Sequence, residues 1–523
     1  MTPDPTRPAT IALMGWARLS MGAAEGGGLN QVVTQLARGL VERGHRVLYL
    51  RSGLEYSLKA GIRVEPEDSW HGVQCFNVVN SPNLSIGAAN FENVQEQIAS
   101  PEHSQLIAKF LREQRVDVFH LHAFEGVGID LVDSVRNAVI PVVITPHNYA
   151  ALCPQVDLLH QERMVCDDYE GGTRCVACLK VPDFAWEKQR RARVHTLRRA
   201  MTPTVFDALK PLAKPIARAA ATAVRTIRRS DRRTAFEDPA AQGAVFHESL
   251  PPGVPLAHER LLANADRHLM VLNNYGERRL AGVAAMNRAS LVLPPSMFLA
   301  RVHEAMGVNA TVLRHTPLGL AHLDALRARA MKASDLDAPA WSPDASRELR
   351  LVYFGNCWVN KGLHLLIEAV RLLEPATLAK VRVDIFASGN DHPFRQRLAS
   401  RANVRFHGSY DSDAQAEALD ATGVGVFPGI ALENSPLVIQ EMLAMGRFVI
   451  ASRRGAMEEF VSEGRSGTFF NPGDASALAS AISRIVKGEV RIPSRREVIN
   501  AAPRTTFEQF LNSVERAYAD ARA

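Results

Sequence analysis

Two glutamates eight residues apart, Glu433 and Glu441, bracket Asn434, Ser435, Pro436 and Leu437 in the run VFPGIALENSPLVIQEMLAMGRFVIAS. Asn434 or Ser435 suits a helix cap and Pro436 a first helical position, so a helix is predicted to begin between the two carboxylates. Glu433 then lies on the loop, with Glu441 about a turn and a half inside the helix. Around a bound nucleotide sugar, the loop carboxylate can accept from sugar hydroxyls and the helical one from ribose hydroxyls, while the helix N-terminus faces the diphosphate. Two acids near a helix start are also favourable when merely solvated, and that plainer reading stands beside the first. A second phosphate-type feature is the loop GAAEGGGLNQ, where Gly27 and Gly28 open a predicted helix. Its glycines lack the dinucleotide spacing, which disfavours NAD; it reads either as a close backbone approach to a ligand or as a flexible turn.

Four of the six cysteines, Cys153, Cys166, Cys175 and Cys178, fall within 26 residues and end in a C-x2-C pair. That set suits a structural zinc site, or else a loop of reduced thiols or one labile disulfide. His147, in TPHNY, follows a predicted strand at the end where doubly wound folds place ligands; a buried, hydrogen-bonded histidine is the alternative. His120 and His122 share one strand face and read as structural, because two histidines alone make no metal site. The net charge of +6 is concentrated: residues 188–233 carry 14 Lys and Arg against Asp207 and Asp231. Amphipathic content there (Phe206, Leu209, Leu212, Ala213, Ile216) allows contact with an anionic membrane surface, against a solvated excursion. Few aromatics and no recognised module argue against nucleic acid.

Elements must position these groups. Residues 10–14 and 46–50 read as strands around the glycine loop and a helix with Val33, Leu36, Ala37, Leu40 and Val41 on one face, stopping at Gly44. Further strands are predicted at 73–79, 116–122 and 140–145, then at 349–354, 381–387, 404–407, 424–428 and 448–452, with helices at 362–373 and 475–487. At 523 residues, two doubly wound α/β domains are expected: 1–332 with a basic insert at about 181–275, a Pro- and acid-rich linker at 333–348, 349–500, and a closing helix in 501–523 returning to the first. No apolar run reaches the roughly 18 residues of a membrane span, and with no export signal a cytoplasmic protein, peripheral on the inner membrane face, is expected.

Several separated motifs in order resemble the retaining glycosyltransferases of family four, with the two-domain GT-B fold: the glycine loop and ERGHRV, VDVFHLH, PVVITPHNY, FGNCWVNKGLHLLIEAV, the Glu433 to Glu441 element, and GRSGTFFNPGD. The resemblance implies two Rossmann-like domains facing a cleft, with the acceptor on the first and a UDP- or GDP-sugar donor on the second. It implies that Glu433 meets the donor sugar, Glu441 its ribose, Lys361 the diphosphate, and His147 the transferred sugar and acceptor, without a catalytic metal. Lys361 makes chemical sense independently, since an ammonium in a desolvated cleft stabilises a leaving diphosphate. Asn356 stands where the family usually has an arginine, leaving Lys361 as the main cation. The implied acceptor is a glycan or lipid-linked hydroxyl. A non-catalytic nucleotide-sugar-binding partner and an epimerase or phosphorylase of the same architecture remain as rival readings.

Overall fold

A computed structural model describes residues 8–86, 90–179, 184–200, 255–344, 348–398 and 403–523. Short apolar runs buried on both faces form the central strands, which is the pattern parallel sheets require, while two strands at the sheet edges, Arg63–Pro66 and Val404–Gly408, are partly exposed. In the first half these are β1 (Thr10–Gly15), β2 (Arg46–Ser52), β3 (Arg63–Pro66), β4 (Gln74–Val79), β5 (Val118–Leu121), β6 (Val142–Ile144), a small hairpin of β7 (Leu159–His160) and β8 (Met164–Val165), and β9 (Leu291–Val292). The main sheet runs β3-β4-β2-β1-β5-β6-β9 and is parallel except for β3. The second half supplies β10 (Leu349–Asn356), β11 (Val381–Ser388), β12 (Val404–Gly408), β13 (Val424–Phe427), β14 (Phe448–Ser452) and β15 (Gly467–Phe470), an all-parallel sheet ordered β12-β11-β10-β13-β14-β15.

The helices used below are α1 (Gly27–Glu42), α2 (Phe184–Ala200), α3 (Asn274–Arg288), α4 (Ala321–Ala330), α5 (Leu363–Leu372), α6 (Leu437–Ala444) and α7 (Phe507–Arg522). On α1, Val32, Val33, Leu36, Ala37 and Leu40 are buried at helical spacing against the first sheet. Across α1 lies α7, whose Phe510, Leu511, Val514, Ala517 and Tyr518 are buried in that same core. Gly39 permits the crossing: a Cβ there would stand 2.7 Å from Phe507 and 2.8 Å from Leu511. Polar contacts tie the same pair, through the ion pairs of Arg43 with Glu515 and Glu508 and through a hydrogen bond between His45 Nε2 and Glu515 at 3.0 Å.

The α/β doubly wound reading holds, and the strands that sequence periodicity missed are the two- to four-residue pieces β3, β7, β8, β9 and β15, too short to carry a period. Within the stretch 333–348, Ala340 and Trp341 are buried in the core of the second sheet, and Asp337 pairs with Arg496 at 2.6 Å. The basic stretch 188–233 is described only as far as Ala200; Phe206, Leu209, Leu212, Ala213 and Ile216 lie outside the described residues.

Candidate active site

In an open parallel sheet, ligands bind beyond the carboxyl ends of the strands, where the strand order reverses direction. The first sheet reverses between β1 and β5 and the second between β10 and β13. The glycine loop follows β1, His122 follows β5, Lys361 follows β10, and the loop 428–436 follows β13. Both switch points therefore carry the residues singled out by sequence.

On the second half, Lys361 closes a 3-10 turn (Val359–Lys361), and Gly362 then enters α5 at φ 72°. A Cβ on Gly362 would lie 1.9 Å from the Pro428 carbonyl oxygen, so glycine alone lets the two loops touch. The amide of Ile430 donates to the Asn360 carbonyl at 2.9 Å, and Lys361 Nζ reaches Glu433 Oε1 at 2.6 Å. Burial works against the lysine's charge, but the Glu433 carboxylate outweighs it and raises its proton affinity. Asn356 ends β10 as a structural residue: its Oδ1 accepts from the Trp358 amide at 3.0 Å and its carbonyl from Tyr353 Oη at 2.8 Å.

The helix start differs from the expectation by one residue. Pro436 is the cap of α6, with no side-chain capping bond, and Leu437 is the first helical position. Neither candidate caps the helix: Ser435 Oγ accepts from Gln440 Nε2 at 3.0 Å, and Asn434 is turned toward the other half, its Nδ2 donating to the His147 carbonyl at 3.0 Å. Glu441 has both oxygens engaged, Oε1 with His322 Nε2 of α4 at 3.0 Å and Oε2 with Gln415 Nε2 at 2.6 Å. His322 in turn meets Gln35 of α1 at 2.9 Å.

From the first half, the glycine loop approaches α6 directly: a Cβ on Gly28 would lie 3.3 Å from Leu437. Above Gly27, at φ 59°, there is open space. His147 Nε2 pairs with His122 Nδ1 at 3.0 Å, and the His122 and His120 rings lie 4.0 Å apart. His120 is anchored by Tyr518 Oη of α7 at 2.7 Å and Thr145 Oγ1 at 2.8 Å. Burial pushes His147 down to about 4 and His120 to about 3, and it holds His122 well below its ordinary value, so the row is neutral at pH 7. His122 Nε2 and Asn434 Oδ1 are buried and lack hydrogen-bond partners among the described residues.

Sequence reasoning missed the residues that follow His147. Tyr149 Oη donates to the Leu432 carbonyl at 3.1 Å, and Asn360 Nδ2 donates to Asp157 Oδ2 at 3.0 Å. Asp157 sits between two non-glycine residues in the left-handed region, Val156 (φ 74°) and Leu158 (φ 52°). Such conformations cost on the order of 1–3 kcal/mol each. No local pattern marks Asp157, because it acts across 203 residues of sequence.

The cysteine loop forms the flank of this site, and its thiols lie near enough to act on one another electrostatically. Among the described residues, no group of three or more His, Cys, Asp or Glu is placed to hold a metal ion. Cys166 Sγ is directed to the Asp168 carbonyl at 3.8 Å, and Cys178 Sγ to Gln155 Oε1 at 3.3 Å. None of the four forms a disulfide. The loop is braced by α3: Arg278 donates to the Ala150 carbonyl at 2.5 Å, and Arg279 to that of Leu152 at 3.2 Å while stacking 3.4 Å over the Tyr169 ring.

Residues 26–170 match the family model described as Glycosyltransferase Family 4, and residues 348–488 that described as Glycosyl transferases group 1, together more than half of the chain. A phosphatidyl-myo-inositol mannosyltransferase of Mycolicibacterium smegmatis is 28% identical over 160 residues, 30% of this chain and 41% of that protein. The lipopolysaccharide core biosynthesis glycosyltransferase LpsE of Rhizobium meliloti is 32% identical over 162 residues, 31% and 44% of the two chains. A sulfoquinovosyl transferase of Arabidopsis thaliana is 25% identical over 166 residues, 31% and 30%. The alignments thus span less than half the length of these relatives. Among solved structures, Anabaena Alr3699/HepE in complex with UDP and glucose covers 97% of this chain and 98% of its own at a TM-score of 0.51 and 14% identity. Sucrose-phosphate synthase of Thermosynechococcus elongatus covers 97% of each at 0.53 and 17%. At such identities the likeness establishes a shared fold.

Proposed function

The chain belongs to the group 1 and family 4 glycosyltransferases, and from that premise we propose that it moves a sugar from a UDP- or GDP-sugar to an acceptor hydroxyl, with retention at the anomeric carbon. The observation that carries the reading is the Lys361–Glu433 ion pair, held where the carboxyl-end loops of the two sheets meet. A nucleoside diphosphate gains negative charge as its bond to the sugar breaks, and a lysine already in a partly desolvated cleft stabilises that charge without reorganisation. The diphosphate takes Lys361 from Glu433 and lies toward the start of α6, beside Asn434, Ser435, Pro436 and Leu437, with Gly27, Gly28 and Asn356 completing the donor side. Glu433, released, accepts from hydroxyls of the transferred sugar. Glu441 accepts from the ribose in place of His322 or Gln415. His147, a neutral imidazole, faces the transferred sugar and the acceptor.

Lysine and helix N-terminus supply the charge in this scheme, so transfer proceeds without a catalytic metal. The departing phosphate helps to deprotonate the acceptor, and the protein contributes position and electrostatics. The names of the mannosyltransferase and LpsE relatives favour a lipid-linked or cell-envelope glycan as acceptor. The cationic stretch 188–233 would then hold a cytoplasmic enzyme against an anionic membrane face. The test is incubation with UDP- and GDP-sugars and envelope lipid, after chelator treatment, reading nucleoside diphosphate release coupled to a glycosylated product with unchanged anomeric configuration. Nucleotide binding without turnover would favour the non-catalytic partner instead, and epimerised or phosphorolysed sugar one of the enzymatic rivals.

A further inference from the structure

Asp157 belongs to the first half of the chain, yet its carboxylate stands at the donor loops of the second. Its Oδ2 accepts from Asn360 Nδ2 at 3.0 Å, one residue from Lys361, and both Lys361 and Glu433 act on it electrostatically. Its Oδ1 makes no hydrogen bond to another described residue. The backbone that presents it is strained on both sides, at Val156 (φ 74°) and Leu158 (φ 52°), and is locked there by hydrogen bonds. The Val156 amide donates to the Cys153 carbonyl at 3.0 Å, the Val156 carbonyl accepts from the Tyr149 amide at 2.9 Å, and the Leu158 carbonyl accepts from the Cys166 amide at 2.8 Å. A β-branched residue in that region is a genuine outlier, and strain retained on both sides of one carboxylate directs attention to what the carboxylate does.

We infer that Asp157 is a substrate-binding residue of the transfer site, whose Oδ1 accepts a hydrogen bond from a hydroxyl of a sugar or polyol acceptor. The inference rests on the transferase reading and deepens it. A carboxylate repels a diphosphate, so Asp157 does not serve the leaving group. The donor already has Glu433 and Glu441 from the second half. A hydroxyl arriving from the first half is the remaining partner that a carboxylate favours, and burial, which raises the proton affinity of Asp157, strengthens its demand for such a donor.

The experiment compares wild type with Asp157→Asn, which keeps an oxygen for Asn360, and Asp157→Ala, which does not. Octyl glucoside, mannoside and galactoside serve as acceptors with UDP-glucose and GDP-mannose as donors, and UDP and GDP affinities are measured by calorimetry. The expected result is an acceptor KM raised tenfold or more in both variants, with nucleotide Kd within about threefold of wild type. An acceptor KM in Asp157→Asn equal to wild type, with loss only in Asp157→Ala, would reduce Asp157 to a tie to Asn360 and overturn the inference. So would a fall in nucleotide affinity as large as the change in acceptor KM. Failure of wild type itself to bind either nucleotide overturns the transferase reading, and this inference with it.

Discussion

Lys361 and Glu433 hold one another at 2.6 Å, so neither can be altered without recasting the other. Lys361→Ala leaves a partly buried carboxylate without its cation and removes the charge proposed to face the leaving diphosphate. A loss of one to three orders of magnitude in kcat is expected, with Lys361→Arg retaining more than Lys361→Ala because it keeps the charge. Glu433→Ala is expected to cost a similar factor, and the double variant far less than the product of the two, since the residues act as one unit. Strictly additive losses in ln kcat would show that they work separately. Cysteines give a second residue-scale expectation. Burial pushes Cys166 up to about 11 and Cys175 to about 12. At pH 8 a thiol near 11 has roughly a hundredfold less thiolate than one near 9, so native protein should react with iodoacetamide at these positions at least tenfold more slowly than unfolded protein. Protection should survive a chelator; its disappearance would point back to zinc. At this scale the sequence was informative where chemistry is written in neighbouring letters, as at Glu433 and Lys361. It was silent on Asp157, Gln35, Gln415 and His322, whose significance comes from partners 203, 287, 26 and 119 residues away.

Elements were legible to the extent that burial wrote a period into them. Strand β14 coincides with the predicted run, while β5 and β6 are shorter than the stretches containing them, because buried residues continue past the strand ends, His122 and Thr145 into the site and Val116 and Ile140 at the opposite edge. The start of α6 was misread by one residue: Asn434, a good cap in isolation, makes no capping bond, and its side chain is turned to the His147 carbonyl of the other half, to which its Nδ2 donates. Tertiary contact overrode a local preference there. The strongest element-scale dependence is on Gly362, with φ 72° and no room beside Pro428. Gly362→Ala must push the 428–436 loop away from the 3-10 turn and part Lys361 from Glu433. It is expected to lower stability by about 2–4 kcal/mol, through strain and overpacking together, and to abolish tight nucleotide binding. Denaturant unfolding and calorimetry check it; a variant that unfolds and binds as wild type does would show that the loop contact is dispensable.

At the scale of the molecule, buried neutral histidines make stability depend on pH. Burial lowers His103, His147, His303 and His364 to about 4, and His120 to about 3. Their folded values lie below the unfolded value near 6.5, so between about pH 4 and 6.5 the unfolded chain binds more protons and stability rises with pH, levelling off above that window. At pH 5.5 each withdraws on the order of 1 kcal/mol. The melting temperature should therefore be several degrees lower at pH 5.5 than at pH 7.5; an equal or higher value would mean that these imidazoles are not desolvated as described. The histidine row also ties the site to α7, for His120 Nδ1 shares a hydrogen bond with Tyr518 Oη, 398 residues further along the chain. On a ribosome, His120 is made long before its partner. The second sheet, contiguous in sequence, can close as soon as it emerges, whereas the first must wait with an apolar face open for Phe510, Leu511, Val514 and Tyr518. Biosynthesis therefore runs against the reading direction: the half that is translated first is the half that finishes folding last, and the nascent protein keeps that apolar face of the first sheet uncovered until its final helix emerges.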